Sequence, residues 1–254
     1  MHSWDLKGKR ALVTGGSKGI GKAIVQAFLE LGAEVFFTAR KEKELITVEA
    51  EFRQRGYPVQ AGVADAAQDA DRKRLAEQIG RQWGALDILV NNAGIATHKR
   101  SIDFTRDEYM QVLEIDLIAP FELCRELFPL LQKGQGASVI NMSSVAGSYD
   151  LHTGAPYGMA KAGLIQLSRN LAVEWARHGI RVNTVSPWFT STPLVEDVLG
   201  NQKSFEAITS KTPLRRVAES AEVAAAVAFL AMDKSSYITG HNLSVDGGVT
   251  GRLL

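Results

Sequence analysis

The sequence is poor in cysteine, in clustered charge and in long apolar runs, and each shortage excludes a class of protein. Cys124 is the only cysteine, so the chain can form no internal disulfide, and no metal site is predicted. The formal net charge is +1 and the basic residues are scattered, so neither nucleic acid nor a membrane is a predicted partner. No apolar run reaches about 18 residues and no apolar signal segment opens the chain, which predicts a soluble, cytoplasmic protein.

Short runs rich in β-branched and apolar residues alternate with longer amphipathic segments along the chain. These runs are RALVTG, EVFFTAR, PVQAGVAD, LDILVNNAG, ASVINMSS, IRVNTVSP and NLSVDGG. Several are almost continuously apolar, as is typical of strands buried on both faces of a parallel sheet. Longer helices are predicted over 68–84 and 105–133. The alternation predicts an α/β fold: one Rossmann-type domain over 1–254, with helices on both faces of a doubly wound parallel sheet of about seven strands.

A polar segment at about 190–211 interrupts this alternation near the end of the chain. It contains Gly200 and Asn201 and precedes Pro213, so its helices should be short. Such segments close over substrates and exclude water, so a mobile substrate lid is predicted here. A mostly apolar substrate pocket is expected beneath it, formed with Val145, Leu151, Trp188 and Leu194. His98 is either a substrate contact or a plain loop residue, and the loop is favoured.

The first predicted strand runs directly into the glycine-rich stretch TGGSKGIG, residues 14–21, which a helix follows. Gly15, Gly19 and Gly21 permit a tight turn and let the backbone approach a pyrophosphate closely. The N-terminus of the helix would supply free N–H groups and a positive dipole end for that anion. Because the motif joins the first strand to the first helix, it predicts a nucleotide site rather than a plain turn.

The end of the second predicted strand indicates which nucleotide binds. A carboxylate there would bond to the 2′-hydroxyl of a ribose and repel a 2′-phosphate. This chain instead has Ala39 followed by Arg40, and Ser17 and Lys18 lie in the glycine loop. Two cations and a hydroxyl suit a phosphate, so NADP(H) is the predicted cofactor.

The stretch PYGMAK places Tyr157 and Lys161 four residues apart, on one face of a predicted helix. That spacing alone is weak, because many helices contain it by chance. Together with TGGSKGIG, NNAG at 91–94 and Ser144, however, it resembles the short-chain dehydrogenase/reductase family over essentially the whole chain. The segment KTPLRRVAESAEVAAAVAFLAMDKSSYITGHNLSVDGG is similar to the tropinone reductases of plants and their relatives.

The resemblance implies roles for three catalytic residues. Tyr157 would protonate the carbonyl oxygen as hydride arrives, and would act as the base in the reverse reaction. Lys161 would favour the phenolate through its charge and bond to the nicotinamide ribose. Ser144 would orient the substrate oxygen, whereas Ser143 beside it would be structural.

The same resemblance implies the cofactor contacts. Asp65 would face the adenine amino group, while Asn91, with Ala93 and Gly94, would lie along the adenosine ribose. Asn92 and Asn141 are expected to serve turn and strand instead. The full predicted cofactor set is Gly15, Ser17, Lys18, Gly19, Ile20, Gly21, Arg40, Asp65, Asn91, Ala93, Gly94, Tyr157, Lys161, Pro187 and Thr192, the last two at the nicotinamide carboxamide.

Two positions depart from the family pattern. Asp116 stands where the family usually has an asparagine that holds a water beside the lysine, and its charge would act on Lys161. Trp188 follows Pro187 where glycine is common. Its indole would narrow the cleft or give a flat wall for the substrate, unless it packs on a neighbouring loop.

The resemblance implies an NADPH-dependent reductase of ketones or other carbonyl compounds, reversible as an alcohol dehydrogenase, with tropinone-like cyclic ketones as candidate substrates. The alternative is an NADP(H)-binding regulatory protein of the same fold with little turnover; fold alone does not separate the two. A homo-oligomer is also implied, a tetramer or else a dimer, through the helices at about 105–133 and 156–178. Small residues there would permit close approach: Gly158, Ala160, Ala162 and Gly163.

Overall fold

A computed structural model describes residues 4–151 and 153–251, so the ends of the predicted domain, 1–3 and 252–254, lie outside the described residues. The strands are β1 (Arg10–Thr14), β2 (Glu34–Ala39), β3 (Val59–Val63), β4 (Ile88–Asn91), β5 (Ser138–Met142), β6 (Arg181–Pro187), β7 (Thr190–Ser191), β8 (Ala218–Glu219) and β9 (Asn242–Val245). Seven of them form one parallel sheet in the order β3-β2-β1-β4-β5-β6-β9, which confirms the predicted fold. β7 and β8 pair separately. Two-residue strands leave no alternation in a sequence, so that pair has no counterpart among the predicted runs.

The sheet divides the hydrophobic core into two layers, because successive side chains of a strand point to opposite faces. Phe36 of β2 belongs to one buried cluster and Phe37 belongs to the other. Their partners across β1, Leu12 and Val13, are divided in the same way. This two-sided burial explains why the strand sequences are apolar without alternation.

Helices cover both faces of the sheet. They are α1 (Gly19–Glu30), α2 (Glu42–Gln54), α3 (Asp69–Trp83), α4 (Arg106–Leu113), α5 (Ala119–Leu131), α6 (Ala155–Trp175), α7 (Glu196–Gly200), α8 (Gln202–Lys211) and α9 (Ser220–Ala231). One face carries α1, α2 and α9, through side chains such as Phe28 and Val227. The other carries α3, α5 and α6, through side chains such as Ile79 and Leu127. The segment predicted as a lid holds the short helices α7 and α8, as its composition indicated.

The helix predicted over 105–133 is divided in two by a π-helical turn, Glu114–Ile118. The N–H of Ala119 donates to the carbonyl of Glu114, five residues earlier instead of four. Pro120 follows, and it has no N–H to offer the carbonyl of Asp116 in the α-helical pattern. One extra residue in a turn barely disturbs the apolar periodicity, which is why the sequence predicts one continuous helix.

The strand order of the sheet determines where a binding crevice opens. It reverses between β1 and β4, so the loops that follow these two strands leave in opposite directions and a crevice opens between them. The glycine-rich loop follows β1, and the NNAG stretch follows β4.

Within residues 4–151 and 153–251, no helix combines the length and apolarity needed to cross a bilayer. The same residues contain no cluster of histidine, cysteine or carboxylate side chains that could hold a metal ion.

Candidate active site

The glycine loop forms one wall of a long groove. Gly15 and Gly19 have φ values of 68° and 54°, in the left-handed region that favours glycine. A Cβ at Gly21 would collide with the carbonyl oxygen of Gly15. The helix α1 begins here with no acidic residue in its first turn and no side chain capping it, so its N–H groups are free to bind an anion.

Hydrogen bonds fix this loop to the loop that follows β4. The Thr14 hydroxyl oxygen accepts from the backbone N–H groups of Asn92 and Ala93, at 3.0 Å each. In return, the Asn92 side-chain amide donates to the carbonyl oxygens of Thr14 and Gly15 at 3.0 and 3.1 Å. The two loops therefore hold their spacing as a unit. Asn92 serves the turn as expected, and it also lines the groove.

Asn91 does not take the position expected for it beside a ribose. It is buried, and its amide donates to Asn141 Oδ1 at 2.8 Å and to Cys124 Sγ at 3.4 Å, away from the groove. As the last residue of β4, it still follows the buried pattern of the strand. Cys124 is a packed thiol, as predicted, and burial raises its pKa to about 12.

The outer part of the groove brings the predicted cofactor residues together. Its predicted lining residues are Gly15, Ser17, Lys18, Gly19, Ile20, Gly21, Arg40, Asp65, Ala93, Gly94 and Thr192. Among the described residues, neither Lys18 nor Arg40 forms an ion pair with a carboxylate. Two unpaired cations thus face an opening that contains no acid at the end of β2.

Two further charged residues of this groove were not predicted. Lys41, the residue before α2, pairs with Glu44 at 3.0 Å. A hydrogen bond from Lys41 lowers the pKa of Glu44, and the charges of Lys41 and Lys18 act in the same direction. The carboxylate of Glu44 is therefore partly neutralised within the groove. The adjacency of Lys41 to Arg40 in the sequence is the signal that could have identified Lys41.

The inner part of the groove contains the predicted catalytic residues. It is continuous with the outer part through shared lining residues, which are Ile20, Asn92, Gly94, Ile95, Thr192 and Leu194. Ser144, Tyr157, Lys161 and Asp116 all line it. The rest of the lining includes His98, Leu151, Pro187, Trp188 and Leu194, whereas Val145, predicted for this pocket, is buried behind it.

Tyr157 and Lys161 lie one turn apart on α6, as their spacing predicts. The Lys161 ammonium is 5.5 Å from the centre of the Tyr157 ring and donates to the carbonyl oxygen of Met142 at 3.0 Å. Burial by itself would lower the pKa of Lys161, but the charges of Asp116 and Tyr157 and a hydrogen bond to Asp116 raise it. Lys161 is thus a fixed positive charge beneath the phenol.

Ser144 lies two residues beyond the end of β5, on the side of the cleft. Its oxygen accepts from the Ala146 N–H at 3.1 Å and caps the short turn Val145–Gly147. That bond uses one lone pair and leaves the hydroxyl proton for an acceptor in the cavity. Ser143 is structural, as expected, because its hydroxyl donates to the backbone carbonyl of Lys161 at 2.9 Å.

Asp116 lies in the π-helical turn and is completely buried. Its Oδ1 accepts from the Ile95 N–H at 3.1 Å and from Lys161 Nζ at 3.4 Å, while Oδ2 has no partner among the described residues. A Cβ on Gly94 would lie 2.5 Å from Oδ1, so this carboxylate needs a glycine beside it. Burial raises the pKa of Asp116, and the charge of Lys161 opposes that shift.

The combined field keeps Tyr157 protonated. Burial raises the pKa of the phenol, the charge of Lys161 lowers it, the charge of Asp116 raises it, and the Ser144 hydroxyl lowers it. The net direction is upward. The cavity therefore holds a neutral phenol with a transferable proton, next to a hydroxyl donor and a buried cation.

Similarity to known proteins agrees with this geometry. A family model described as enoyl-(acyl carrier protein) reductase matches residues 15–250. A tropinone reductase homolog of Arabidopsis thaliana is 42% identical over 248 residues, which are 97% of this chain and 94% of the relative. The Pseudomonas aeruginosa RhlG/NADP active-site complex is 34% identical with a TM-score of 0.92, covering 98% of this chain and 99% of that one. A gluconate 5-dehydrogenase from Burkholderia cenocepacia, in complex with NADP and tartrate, is 29% identical with a TM-score of 0.94 and 98% coverage of both chains. A match that spans nearly the whole chain, on a sheet and cleft of this form, means that the protein belongs to the short-chain dehydrogenase/reductase family of oxidoreductases, in its tropinone reductase-like branch.

Proposed function

We propose that the protein is an NADPH-dependent reductase that transfers hydride to a ketone and that also runs in reverse as an alcohol dehydrogenase. One observation carries this proposal: a neutral buried phenol, a serine hydroxyl and a lysine meet in a cavity that opens into a groove with two unpaired cations. A regulatory protein would need the cofactor groove, but it would not need Ser144, Tyr157 and Lys161 to meet in the adjoining cavity.

The residues present fit the cofactor. The glycine loop leaves no room for a Cβ at Gly21, and the open N-terminus of α1 suits a pyrophosphate. Lys18 and Arg40 would hold the 2′-phosphate, and two relatives were crystallised with NADP. When bound, NADPH supplies the hydride that reduces the carbonyl carbon.

The chain itself supplies the proton and the alignment. Ser144 donates a hydrogen bond to the carbonyl oxygen and fixes its position. Tyr157 transfers its proton to that oxygen as negative charge develops there. Lys161 stabilises the phenolate that remains, and it stays near Tyr157 because Met142 and Asp116 hold the ammonium.

The lining indicates a compact, mostly apolar ketone. Ile95, Ala96, Leu151, Leu194 and Val195 surround the catalytic groups with hydrocarbon. Tropinone-like cyclic ketones fit this chemistry, and the name of the Arabidopsis relative points the same way. The segment at about 190–211 contributes part of the lining, so we propose that it closes over the substrate as a lid.

A panel of cyclic and aromatic ketones tests the function. Purified protein with NADPH should lose cofactor absorbance in the presence of at least one cyclic ketone, and the corresponding alcohol with NADP⁺ should restore it. The control is the same panel without protein. Tight NADPH binding with no oxidation across the panel would support the regulatory alternative instead.

Replacing Asp116 by asparagine should move the pH dependence of alcohol oxidation to lower pH. Ionised Asp116 raises the pKa of Tyr157, and oxidation needs the phenolate as base. Asparagine removes that charge, so the phenolate forms at lower pH. The rising limb of the plot of oxidation rate against pH therefore moves to lower pH. The measurement is kcat for alcohol oxidation against pH.

The matched control is Asp107→Asn, which removes one exposed carboxylate from the start of α4. Its profile should superimpose on the wild-type profile. Superimposed profiles for Asp116→Asn as well would show that Asp116 is protonated across the range, the state that its burial favours.

We also propose a homo-oligomer, a tetramer or else a dimer, that assembles through α4, α5 and α6. Of the small residues of α6, Ala160 is buried and Gly163 packs on Leu117 of its own chain, so neither is available to a second copy. The exposed face of α6 instead presents Ala162 and Val173, the latter 81% exposed. Ala162 and Val173 are eleven residues apart, about three helical turns, so they share one exposed face of α6 that a second copy would cover.

Light scattering should give a mass at least twice that of the chain, and Val173→Lys should lower it. The control is Ile46→Lys, which changes an exposed residue on α2, on another face of the molecule. A wild-type mass equal to one chain at micromolar concentration would contradict this assembly.

A further inference from the structure

Two aromatic residues separate the catalytic cavity from a second cavity. Trp188 and Phe189 directly follow β6, and both line the catalytic cavity on one side. On the other side, the same two residues line a smaller cavity. The other residues of this rear cavity are Thr212, Leu214, Arg216, Ala218, Glu222, Val245, Asp246 and Gly247. No residue apart from these two aromatics is shared by the two linings as described, so together they form the wall between them.

The wall is held in one orientation. The two rings pack edge to face, with centroids 4.9 Å apart and planes at 89°. The indole N–H of Trp188 donates to the Thr212 hydroxyl oxygen at 3.0 Å, and that hydroxyl donates in turn to the carbonyl of Ile208 at 2.8 Å. Thr212 is 1% exposed, so water does not compete for these bonds. The side chain of Trp188 is thus fastened to the last turn of α8.

The rear cavity has apolar lining residues that would suit an apolar substituent of the ketone. Leu214, Ala218 and Val245 contribute apolar surface. The charged members already have partners. Arg216 and Glu222 form an ion pair at 2.6 Å. Asp246 accepts hydrogen bonds from the N–H groups of Gly248 and Thr250 and from the Thr250 hydroxyl. Removing the indole would therefore open the part of the wall that Trp188 forms, beside Phe189, without exposing an unpaired charge to a bulky apolar substituent.

We propose that Trp188, held by Thr212, sets the upper size limit on the ketone. This proposal rests on the proposed function. With the indole in place, the cavity accepts compact ketones, and the carbonyl meets Tyr157 and Ser144 only when no large group extends toward the wall. Without the indole, a substituent reaches into the rear cavity while the carbonyl keeps the same position.

The test compares cyclohexanone with 4-phenylcyclohexanone. Trp188→Ala should raise the ratio of kcat/KM for the phenyl-substituted ketone over the unsubstituted one by at least about tenfold, the size expected when a pocket gains room for several carbon atoms. Thr212→Val keeps the shape but removes the acceptor of the indole, so it should raise the ratio by less. Thr212→Ser keeps the hydroxyl and should leave the ratio within about twofold of wild type.

Leu214→Ala is the matched control, because it enlarges the rear cavity without opening the wall. It should leave the ratio unchanged. Trp188→Leu replaces Trp188→Ala if the alanine variant does not fold. An unchanged ratio in a folded Trp188 variant that still binds NADPH overturns the proposal, as does an equal loss for both ketones.

Calorimetric binding separates this proposal from the proposed function. Binding of both ketones is measured with NADPH bound, in Tyr157→Phe and in Tyr157→Phe combined with Trp188→Ala, where no turnover interferes. A binding ratio that shifts toward the phenyl-substituted ketone supports the size limit proposed for Trp188, even if the wild-type protein reduces neither ketone. If neither ketone binds to any variant, the size limit proposed for Trp188 is overturned. If the ketones are reduced but the ratio does not shift, only the size limit is overturned and the proposed reductase function stands.

Discussion

Tyr157→Phe is expected to lower kcat for ketone reduction by about 10²–10⁴-fold and to leave NADPH affinity nearly unchanged. The substitution removes the transferable proton and keeps the ring that packs above Lys161. Because burial raises the pKa of Tyr157, the wild-type phenol carries its proton throughout the neutral range. Single-turnover reduction in a stopped-flow instrument measures the chemical step directly, without product release.

Tyr149→Phe is the matched control for this experiment. Tyr149 is 54% exposed and lies outside the catalytic cavity, on the surface beside α6. Its replacement removes the same hydroxyl from the same residue type and should change kcat by less than about twofold. A loss below tenfold in Tyr157→Phe would show that another group protonates the substrate.

The second large effect is on the choice of coenzyme. Combining Ala39→Asp with Arg40→Ile should lower kcat/KM for NADPH by about 10²-fold or more and should raise kcat/KM for NADH. Loss of one charge-assisted hydrogen bond to the 2′-phosphate is worth about 1.5–3 kcal/mol, and repulsion by the new carboxylate adds to it. The same carboxylate can bond to the free 2′-hydroxyl of NADH.

Initial rates with each coenzyme at fixed ionic strength give the two values, since surface charge effects depend on salt. Lys43→Ile is the control, because it removes one cation from α2 at a position that does not line the groove. It should leave the preference in place. A wild-type protein that already prefers NADH would contradict the role given to Lys18 and Arg40.

The fold was predictable because burial on both faces dictates the strand sequences directly. Phe36 and Phe37 are adjacent in the sequence and are buried on opposite sides of the sheet, which only a covered strand permits. The glycine loop was equally predictable, since the backbone path at Gly15, Gly19 and Gly21 tolerates few other residues. Ser144 follows the end of β5, and Tyr157 and Lys161 lie on α6, so the structure brings these three predicted catalytic residues to one cavity.

The remaining features depend on contacts between distant segments, which periodicity does not record. Asn91 and Asn92 are identical neighbours, yet the first bonds into the core and the second faces the groove. The bond between Trp188 and Thr212 joins positions 24 residues apart. The contact between Asp116 and Lys161 depends on a π-helical turn, whose single extra residue is hidden within an ordinary apolar pattern.

That turn gives the segment from Arg106 to Leu131 two helical phases. A residue of an α-helix advances about 100° around the axis, so one residue more or less rotates everything beyond it by that angle. Deleting one residue from Glu114–Ile118 would keep a continuous helix and turn either the α4 face or the α5 face away from its neighbours. Cys124 and Leu127 would leave the core if α5 rotated, and Asp116 would leave Lys161 if it did not. The core packing of α5 and the position of Asp116 beside Lys161 thus depend on the same extra residue, and its loss would sacrifice one of the two.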